Sequence, residues 1–215
     1  MITEGIGQHA PSPVRELLTE SDLRVVASAS LQIAKYRGWS REAVGWKRGL
    51  IAEPLVIPRI GIIPAEAKPM FVGLIAEAAV VIYFNRRCGL QLSLKDQLLL
   101  SGDGGADIEI GCLTMQVKSR QSSSSHSKQS ISLVRYATGD GRHVFPSCTA
   151  IVFCETMLPA PVVKILGWIY TAHAIDREIV PARIGNHWNI EIADSLLEPM
   201  GSLAERITAG KELSV

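Results

Sequence analysis

Residues 107–118, DIEIGCLTMQVK, alternate apolar and polar side chains on both sides of a central Gly-Cys pair. Because successive side chains of a β-strand point to opposite faces, this alternation predicts two strands, each with one apolar and one polar face. Gly111 at the first central position suits a two-residue type II′ turn. The hairpin then pairs Ile110 with Leu113, Glu109 with Thr114, Ile108 with Met115 and Asp107 with Gln116. Asp107, Gln116 and Lys118 therefore share the polar face.

The longest apolar run lies upstream of this hairpin. MFVGLIAEAAVVIYFNRRCG, residues 70–89, has apolar side chains at helical spacing and predicts a buried helix. Glu77 is its only acid. The run from Met70 to Phe84 has 15 residues, fewer than the roughly 20 that span a bilayer. We therefore expect a soluble protein without a membrane partner.

The part of the chain before this helix predicts a helical extension and a connector. After a mobile tail to about Ser12, residues 20–38 have a helical pattern with Ser21 as N-cap and Gly38 as stop signal. A second short helix is expected after Ser40. The segment 53–69 contains four prolines, which exclude a long helix, and too many apolar residues for a disordered linker. We expect an extended connector packed on the surface.

Beyond the hairpin, the serine-rich segment 121–130 predicts a mobile loop. TAIVFCET (149–156) and VKILGWIYT (163–171) are typical of buried strands, and residues 195–207 predict a closing helical segment. This order indicates an α/β fold with a mixed β-sheet flanked by helices. Residues 70–215 would form the core, with residues 1–69 as an N-terminal helical extension and proline-rich connector packed on it.

Charge and cysteine content exclude several function classes. The formal net charge of +1 is unlike that of a strongly basic protein that coats nucleic acid. Four cysteines without CxxC spacing, and histidines distant from them, give no zinc motif. The N-terminus has no apolar signal segment. We therefore expect reduced thiols and a cytoplasmic location, in the producing cell or in a host cell if a virus or mobile element encodes the chain. We assign no catalytic role to the remaining isolated histidines His126, His143, His173 and His187.

An acid at the start of one strand followed by Gln-x-Lys on the next resembles the PD-(D/E)XK nuclease superfamily. The glutamine in place of the usual acid is similar to Mrr-type restriction endonuclease catalytic domains, in which Gly-Gly-x-Asp precedes Gln-x-Lys. The corresponding residues here are 104–107 and 116–118. The likeness extends from Glu77 to Arg120 and to the strands at 149–171, whereas residues 1–69 match no family feature. It implies a restriction endonuclease-like core.

This resemblance also implies roles for five residues. Phosphodiester hydrolysis uses a hard cation with oxygen ligands, here Mg²⁺ with Mn²⁺ able to substitute. Asp107 would supply the carboxylate ligand, Gln116 its amide oxygen and Val117 its backbone carbonyl. Glu77 would complete the metal site from the helix. Lys118 would orient or deprotonate water and stabilise the charged transition state. Since Gln116 brings no charge, we expect weaker metal binding than in relatives with an acid there.

DNA is the partner that the resemblance implies. Basic side chains outnumber acidic ones between residues 118 and 142, which suits a flank that contacts phosphates. Arg120, Lys128 and Arg135 are the candidate DNA-binding residues. A solvated loop would have a similar composition, so this assignment has a structural alternative.

Each candidate site residue also has a structural interpretation. Asp107 could cap a turn after the glycines, and Lys118 could be a solvated strand-end lysine. Glu77 could pair with a buried arginine. Asp103 competes with Asp107 as the metal ligand but precedes the glycines. Glu109 shares the polar face, yet the family does not use this position, which suggests a surface role.

The sequence thus predicts a metal-dependent deoxyribonuclease that hydrolyses phosphodiester bonds by direct attack of water. One alternative is a site- or structure-specific restriction or junction-resolving endonuclease, an assignment that a homodimer would favour. Another alternative is a catalytically silent DNA-binding or assembly module that retains the nuclease fold. The neutral Gln116 favours this last alternative, and metal-dependent cleavage distinguishes it from the other two.

Overall fold

The computed structural model describes residues 11–36, 53–96, 106–122, 128–135, 143–144, 147–177, 179–181 and 188–210. The helices are α1 (Glu20–Tyr36), α2 (Lys68–Cys88), α3 (Thr171–Ile175) and α4 (Met200–Thr208), with a 3-10 turn at Asp194–Leu196. The strands are β1 (Val14–Leu17), β2 (Leu55–Ile57), β3 (Gly61–Ile63), β4 (Ile108–Ile110), β5 (Leu113–Gln121), β6 (Lys128–Arg135), β7 (His143–Val144), β8 (Ala150–Thr156), β9 (Val162–Tyr170), β10 (Ile179–Pro181) and β11 (Trp188–Ala193).

The main sheet has five strands in the order β1-β9-β8-β5-β4. β5 and β8 run parallel, whereas the other neighbouring pairs are antiparallel. The two segments predicted as buried strands form β8 and β9 at the centre of this sheet. Every described residue of β8 is buried, as expected for a strand covered on both faces. The predicted mixed α/β class is therefore confirmed.

Helix α2 covers one face of this sheet. Its side chains Phe71, Leu74 and Ile75 are fully buried and belong to one cluster with Met115 of β5 and Val152 of β8. Helix α1 packs against α2, and α4 contacts both α2 and β9. The apolar side chains along α2 thus position this helix, and with it Glu77, against β5.

A second sheet covers part of the opposite face, where the sequence predicted helices. Its order is β10-β11-β6-β7. Ile190 and Ile192 of β11 pack on Ile151 and Phe153 of β8, and Ala174 of α3 joins the same cluster. Helices therefore flank one face of the main sheet, and the second sheet with the short helix α3 flanks part of the other face.

The prediction of a loop across residues 121–130 is wrong at both ends. Gln121 is the last residue of β5, and Lys128–Arg135 forms β6, which pairs antiparallel with β11. Polar side chains do not prevent strand formation here, because ladder hydrogen bonds with β11 satisfy the backbone of β6. Residues 123–127 lie outside the described part of the chain.

The N-terminal segment contributes a strand that the sequence did not indicate. β1 pairs antiparallel with β9 and forms one edge of the main sheet. Glu16 of β1 is buried and accepts a hydrogen bond of 2.6 Å from the Arg86 guanidinium of α2. Burial raises the pKa of Glu16, and the Arg86 charge opposes this shift. The strand thus connects the N-terminal segment to both the sheet and α2.

The N-cap of α1 is Thr19, so the prediction of Ser21 is wrong. The Thr19 hydroxyl accepts a hydrogen bond from the Asp22 N–H, and the Asp22 carboxylate accepts one from the Thr19 N–H. This reciprocal pair satisfies backbone donors of the first turn two residues before the predicted start. The predicted stop at Gly38 and the short helix after Ser40 lie outside the described residues.

The proline-rich connector is extended, as predicted, and forms the hairpin β2–β3. Ile57 and Ile63 are buried in the main core, whereas Val56 and Ile62 are exposed. The chain then enters α2 and leaves it at Gly89, whose φ of 67° terminates the helix. Helix α2 has the length and composition of a membrane-spanning segment, but 61% of its most apolar window is buried inside the fold. Buried core helices of soluble proteins have the same property.

Candidate active site

Three of the four predicted hairpin pairs form, whereas the predicted Asp107–Gln116 pair does not belong to the described ladder. Ile108 pairs with Met115, and Ile110 pairs with Leu113 across a turn in which Gly111 has a φ of 62°. A positive φ at this position is a property of the primed turns that connect two-residue hairpins. β4 begins at Ile108, so its pairing with β5 covers only the first three residues of β5. From Gln116 onward β5 continues beyond the paired part of β4.

Asp107 lies where this pairing stops. Its N–H donates to the Met115 carbonyl at 2.7 Å, and its Oδ2 accepts the Val117 N–H at 2.7 Å. The carboxylate therefore takes the place that the next backbone acceptor of β4 would occupy. It lies at the edge of β5, close to the plane of the sheet.

The direction of the Val117 carbonyl follows from the same hydrogen bonds. The Thr114 carbonyl accepts the Thr149 N–H at 2.9 Å, so the even-numbered residues of β5 direct their backbone groups towards β8. Odd-numbered residues direct theirs to the opposite edge, because the N–H and C=O of one strand residue point to the same side. The Val117 N–H reaches Asp107 at that edge, and its carbonyl points there too.

Gln116 and Lys118 project from the face of β5 that carries the second sheet. Their neighbours on β8 are Ile151 and Phe153, which pack against β11. The Gln116 Oε1 atom is buried and has no hydrogen-bond partner among the described residues. Burial lowers the pKa of Lys118, and the negative charge of Asp107 is the main opposing influence. Lys118 is thus a half-buried amine close to a carboxylate.

Glu77 approaches from the other face, on α2. Its side chain is 8% exposed, and Oε2 has no hydrogen-bond partner within the described ranges. Burial raises the pKa of Glu77 well above its ordinary value, the Asp107 charge adds to this increase, and Lys118 opposes it. These influences place all three groups within electrostatic reach of one another. The arginine of α2 that pairs with a buried glutamate is Arg86, and its partner is Glu16.

The pKa of Asp107 is also raised, but by less than that of Glu77. Burial raises its pKa, while the Val117 N–H and the Lys118 charge oppose the increase. Two carboxyl groups and one amine therefore occupy a partly desolvated site around the edge of β5. Functional sites often contain several titratable groups that lie close together and have shifted pKa values.

The donor atoms at this edge suit a hard divalent cation. The carboxyl groups of Asp107 and Glu77 and the Val117 carbonyl offer oxygen ligands, which Mg²⁺ and Mn²⁺ prefer. The Gln116 amide offers a further oxygen from the adjacent face of β5. No group of three or more His, Cys, Asp or Glu side chains with metal-binding spacing occurs in the described residues. A cation here would depend on the amide and the main-chain carbonyl in addition to two carboxylates. The buried Glu77 Oε2 and Gln116 Oε1 atoms, for which the described part of the chain supplies no hydrogen-bond partner, fit this role.

The remaining predicted residues have different surroundings. Arg120 of β5 lies 3.4 Å from Glu155 of β8 in an ion pair. Lys128 and Arg135 are the first and last residues of β6, and their side chains lie outside the described part of the structure, as does Asp103. Glu109 is exposed on the hairpin.

Sequence reasoning missed Cys148, which lies within electrostatic reach of Lys118, and its hydrogen-bond partner Thr171. The buried Cys148 thiol lies 3.4 Å from the Thr171 hydroxyl and receives a hydrogen bond from the Gln116 backbone. Burial raises the pKa of Cys148, and its charge when ionised would interact with Lys118. No local pattern marks either residue, because both reach the site through the pairing of β8 with β5 and β9.

Comparisons of this chain with models of protein families, with curated proteins and with solved structures found no match.

Proposed function

We propose that this chain is a metal-dependent deoxyribonuclease that hydrolyses DNA phosphodiester bonds by direct attack of water. The observation that carries the proposal is the Asp107 carboxylate, held by the Val117 N–H at 2.7 Å at the edge of β5 and within electrostatic reach of Glu77 and Lys118. A buried carboxyl group, a half-buried carboxyl group and a half-buried amine are costly to bring together unless a ligand or a reaction uses them. The spacing of Asp107, Gln116 and Lys118 that resembles PD-(D/E)XK nucleases gives the reaction class.

Four groups of the chain would hold the cation. Asp107 and Glu77 would hold Mg²⁺ with the Gln116 amide and the Val117 carbonyl. When bound, the cation would supply positive charge at the phosphate and lower the pKa of a coordinated water. The hydrogen bond from the Val117 N–H fixes the orientation of the Asp107 carboxylate before any ligand arrives.

Lys118 would act on the water and on the developing charge of the phosphate. Burial lowers its pKa, so a larger fraction of the amine is neutral near pH 7 than in solution. A neutral amine accepts a proton from water, whereas the protonated form stabilises a pentavalent phosphate. Both functions require the amine near Asp107, and the influence of the Asp107 charge on Lys118 supports this arrangement.

A catalytically silent DNA-binding module is the second candidate. Gln116 leaves two carboxyl groups at the site, and a smaller negative charge weakens cation binding. A third candidate, a site- or structure-specific endonuclease, uses the same chemistry and differs in substrate range. The three candidates predict different results with a panel of DNA substrates.

The deciding experiment measures cleavage of supercoiled plasmid, linear duplex and single-stranded oligonucleotides with Mg²⁺, with Mn²⁺ and with EDTA. We expect cleavage that requires the metal and that is lost in Lys118→Met, which keeps an unbranched apolar stem of similar length. Lys35→Met is the matched control, because Lys35 is an exposed lysine in the last turn of α1.

Cleavage of every DNA form would support a general nuclease, and cleavage of one sequence or branched structure would support the specific endonuclease. DNA binding without cleavage under any metal condition would replace the nuclease proposal with the silent module. Equal activity of wild type and Lys118→Met would refute the proposed mechanism.

A further inference from the structure

A second group of charged side chains lies on β5, β8 and β9 beyond the candidate active site. Glu155 is buried, with 7% of its surface exposed. Its Oε1 lies 3.4 Å from the Arg120 Nε atom, and its Oε2 accepts a hydrogen bond of 3.1 Å from the Lys164 ammonium. Glu155 is the direct neighbour of Arg120 in the β5–β8 register and of Lys164 in the β8–β9 register. The three side chains form a row across three strands.

This row lies on the same face of the sheet as Gln116 and Lys118. Side chains two residues apart on a strand share a face, so Gln116, Lys118 and Arg120 form one line along β5. Each step of two residues covers roughly 6.6 to 6.8 Å. Arg120 is thus one such step beyond Lys118, a separation on the scale of one to two nucleotides of a DNA strand.

The row presents cations whose positions are fixed. The Lys164 side chain is 22% exposed and that of Arg120 is 25% exposed, so both remain accessible from solvent. Within the described residues, the Lys164 ammonium contacts Glu155 and keeps further N–H donors for a ligand. A cation that is already oriented loses less side-chain entropy when it binds an anion.

We propose that Lys164 and Arg120, oriented by Glu155, form a phosphate-binding subsite that holds a DNA backbone phosphate next to the one being cleaved. The identity of the ligand as DNA rests on the proposed function. The subsite adds Lys164 of β9 to the DNA contacts, a residue far from the hairpin in sequence. Its role is to position the substrate, since neither cation lies among the groups at the edge of β5.

Binding measured separately from cleavage tests this subsite. We would titrate a fluorescein-labelled duplex with wild type, Lys164→Gln and Arg120→Gln in EDTA at several salt concentrations. For each phosphate contact, the binding constant falls with salt concentration raised to a power of about 0.9. Loss of one contact should therefore weaken binding roughly eightfold at 0.1 M salt. The slope of log Kd against log salt should fall by about one.

Two controls distinguish a phosphate contact from a structural ion pair. Arg24→Gln removes a cation from the Arg24–Glu20 pair of α1, at 2.7 Å, and should leave the binding curve unchanged. Lys164→Arg keeps the charge and should keep the affinity within about twofold. Thermal unfolding of each variant reports any loss of fold. In a cleavage assay, Lys164→Gln should raise KM and leave kcat unchanged.

Equal affinity and equal salt slope for wild type, Lys164→Gln and Arg120→Gln would overturn the subsite. Binding that depends on Lys164 without any cleavage would support the subsite and refute the nuclease proposal. Cleavage that both substitutions leave unchanged would support the nuclease proposal and overturn the subsite.

Discussion

The Asp107 carboxylate accepts the main-chain N–H of Val117 at 2.7 Å, at the point where β4 stops pairing with β5. One side chain thereby satisfies a backbone donor at a strand edge and lies within electrostatic reach of Glu77 and Lys118. Its second oxygen, Oδ1, is the one that a cation can bind without loss of this hydrogen bond. The structural and the proposed catalytic roles of Asp107 are therefore carried by different atoms.

Lys118 is predicted to be essential for cleavage and dispensable for folding. The lysine lies within β5 and is half-buried, not at a strand end as the sequence suggested, so Lys118→Ala removes packing as well as charge. Lys118→Met should lose at least about 100-fold in kcat, the usual range for one acid–base or electrostatic group. Cleavage rates and thermal unfolding of both variants measure the two effects. A Met variant as active as wild type would contradict the assignment.

Glu77→Gln should stabilise the metal-free protein at alkaline pH. The folded-state pKa of Glu77 lies well above the ordinary 4.5. Its favourable contribution to the free energy of unfolding is therefore complete below pH 4.5 and is lost as pH rises through the folded-state pKa. Glutamine removes this loss. Urea unfolding at pH 4, 6 and 8 should give a gain in unfolding free energy that grows with pH. Glu20→Gln, at an exposed residue of α1, is the control. A gain that is the same at every pH would indicate that folding does not raise the pKa of Glu77.

Mg²⁺ binding should strengthen as pH rises from 5 to 8. Burial raises the pKa of both Glu77 and Asp107, so a cation must displace protons at low pH. The thermal shift caused by 5 to 10 mM Mg²⁺ should therefore be larger at pH 8 than at pH 5.5, and Asp107→Asn should abolish it. A shift that is independent of pH would place the cation elsewhere.

Gln116→Glu should tighten metal binding and weaken the metal-free fold. A third carboxyl group would add negative charge for the cation but would repel Asp107 and Glu77 when no cation is bound. We expect a lower melting temperature in EDTA and a larger gain on addition of Mn²⁺ than in wild type. Cleavage at low metal concentration should rise if affinity limits the rate. The same response to Mn²⁺ in both proteins would remove Gln116 from the ligand set.

Gly167→Ala should destabilise the protein by about 2 kcal/mol or more. Gly167 has a φ of 152°, and an added Cβ would lie 2.6 Å from the Glu198 carbonyl oxygen. The backbone of Glu198 packs on β9 at this point through two hydrogen bonds with Trp168. Gly73→Ala in α2 is the matched control, since nothing lies within 4 Å of its added Cβ and alanine favours helix. Chemical denaturation of both variants gives the comparison.

Local alternation was sufficient to predict the hairpin, and helical spacing was sufficient to predict α2. In both, the information lies within about twenty residues, and a glycine at positive φ marks an end: Gly111 for the turn and Gly89 for the helix. The N-cap of α1 was assigned two residues late, because Ser21 and Thr19 are both suitable side chains and only the hydrogen bonds to Asp22 distinguish them.

The second sheet could not be predicted in the same way. β6 carries alternate serines and belongs partly to a polar low-complexity segment, and its partner β11 lies far along the chain. The alternation of Ile190 and Ile192 in WNIEIA was the available signal for β11. For the site, the common face of Gln116 and Lys118 follows from strand periodicity. The approach of Glu77 depends on how α2 docks, which is a tertiary property.

The parallel pairing of β5 with β8 also has a kinetic consequence. Asp107 and Val117 are 10 positions apart, so the hydrogen bond at the edge of β5 can form as soon as the hairpin closes. Thr114 and Thr149, which join β5 to β8, are 35 positions apart, and such contacts form late because the chain between them must first be ordered. The position of the Asp107 carboxylate thus depends on contacts between residues close in sequence, whereas the burial of Lys118 requires the long-range pairing of β5 with β8.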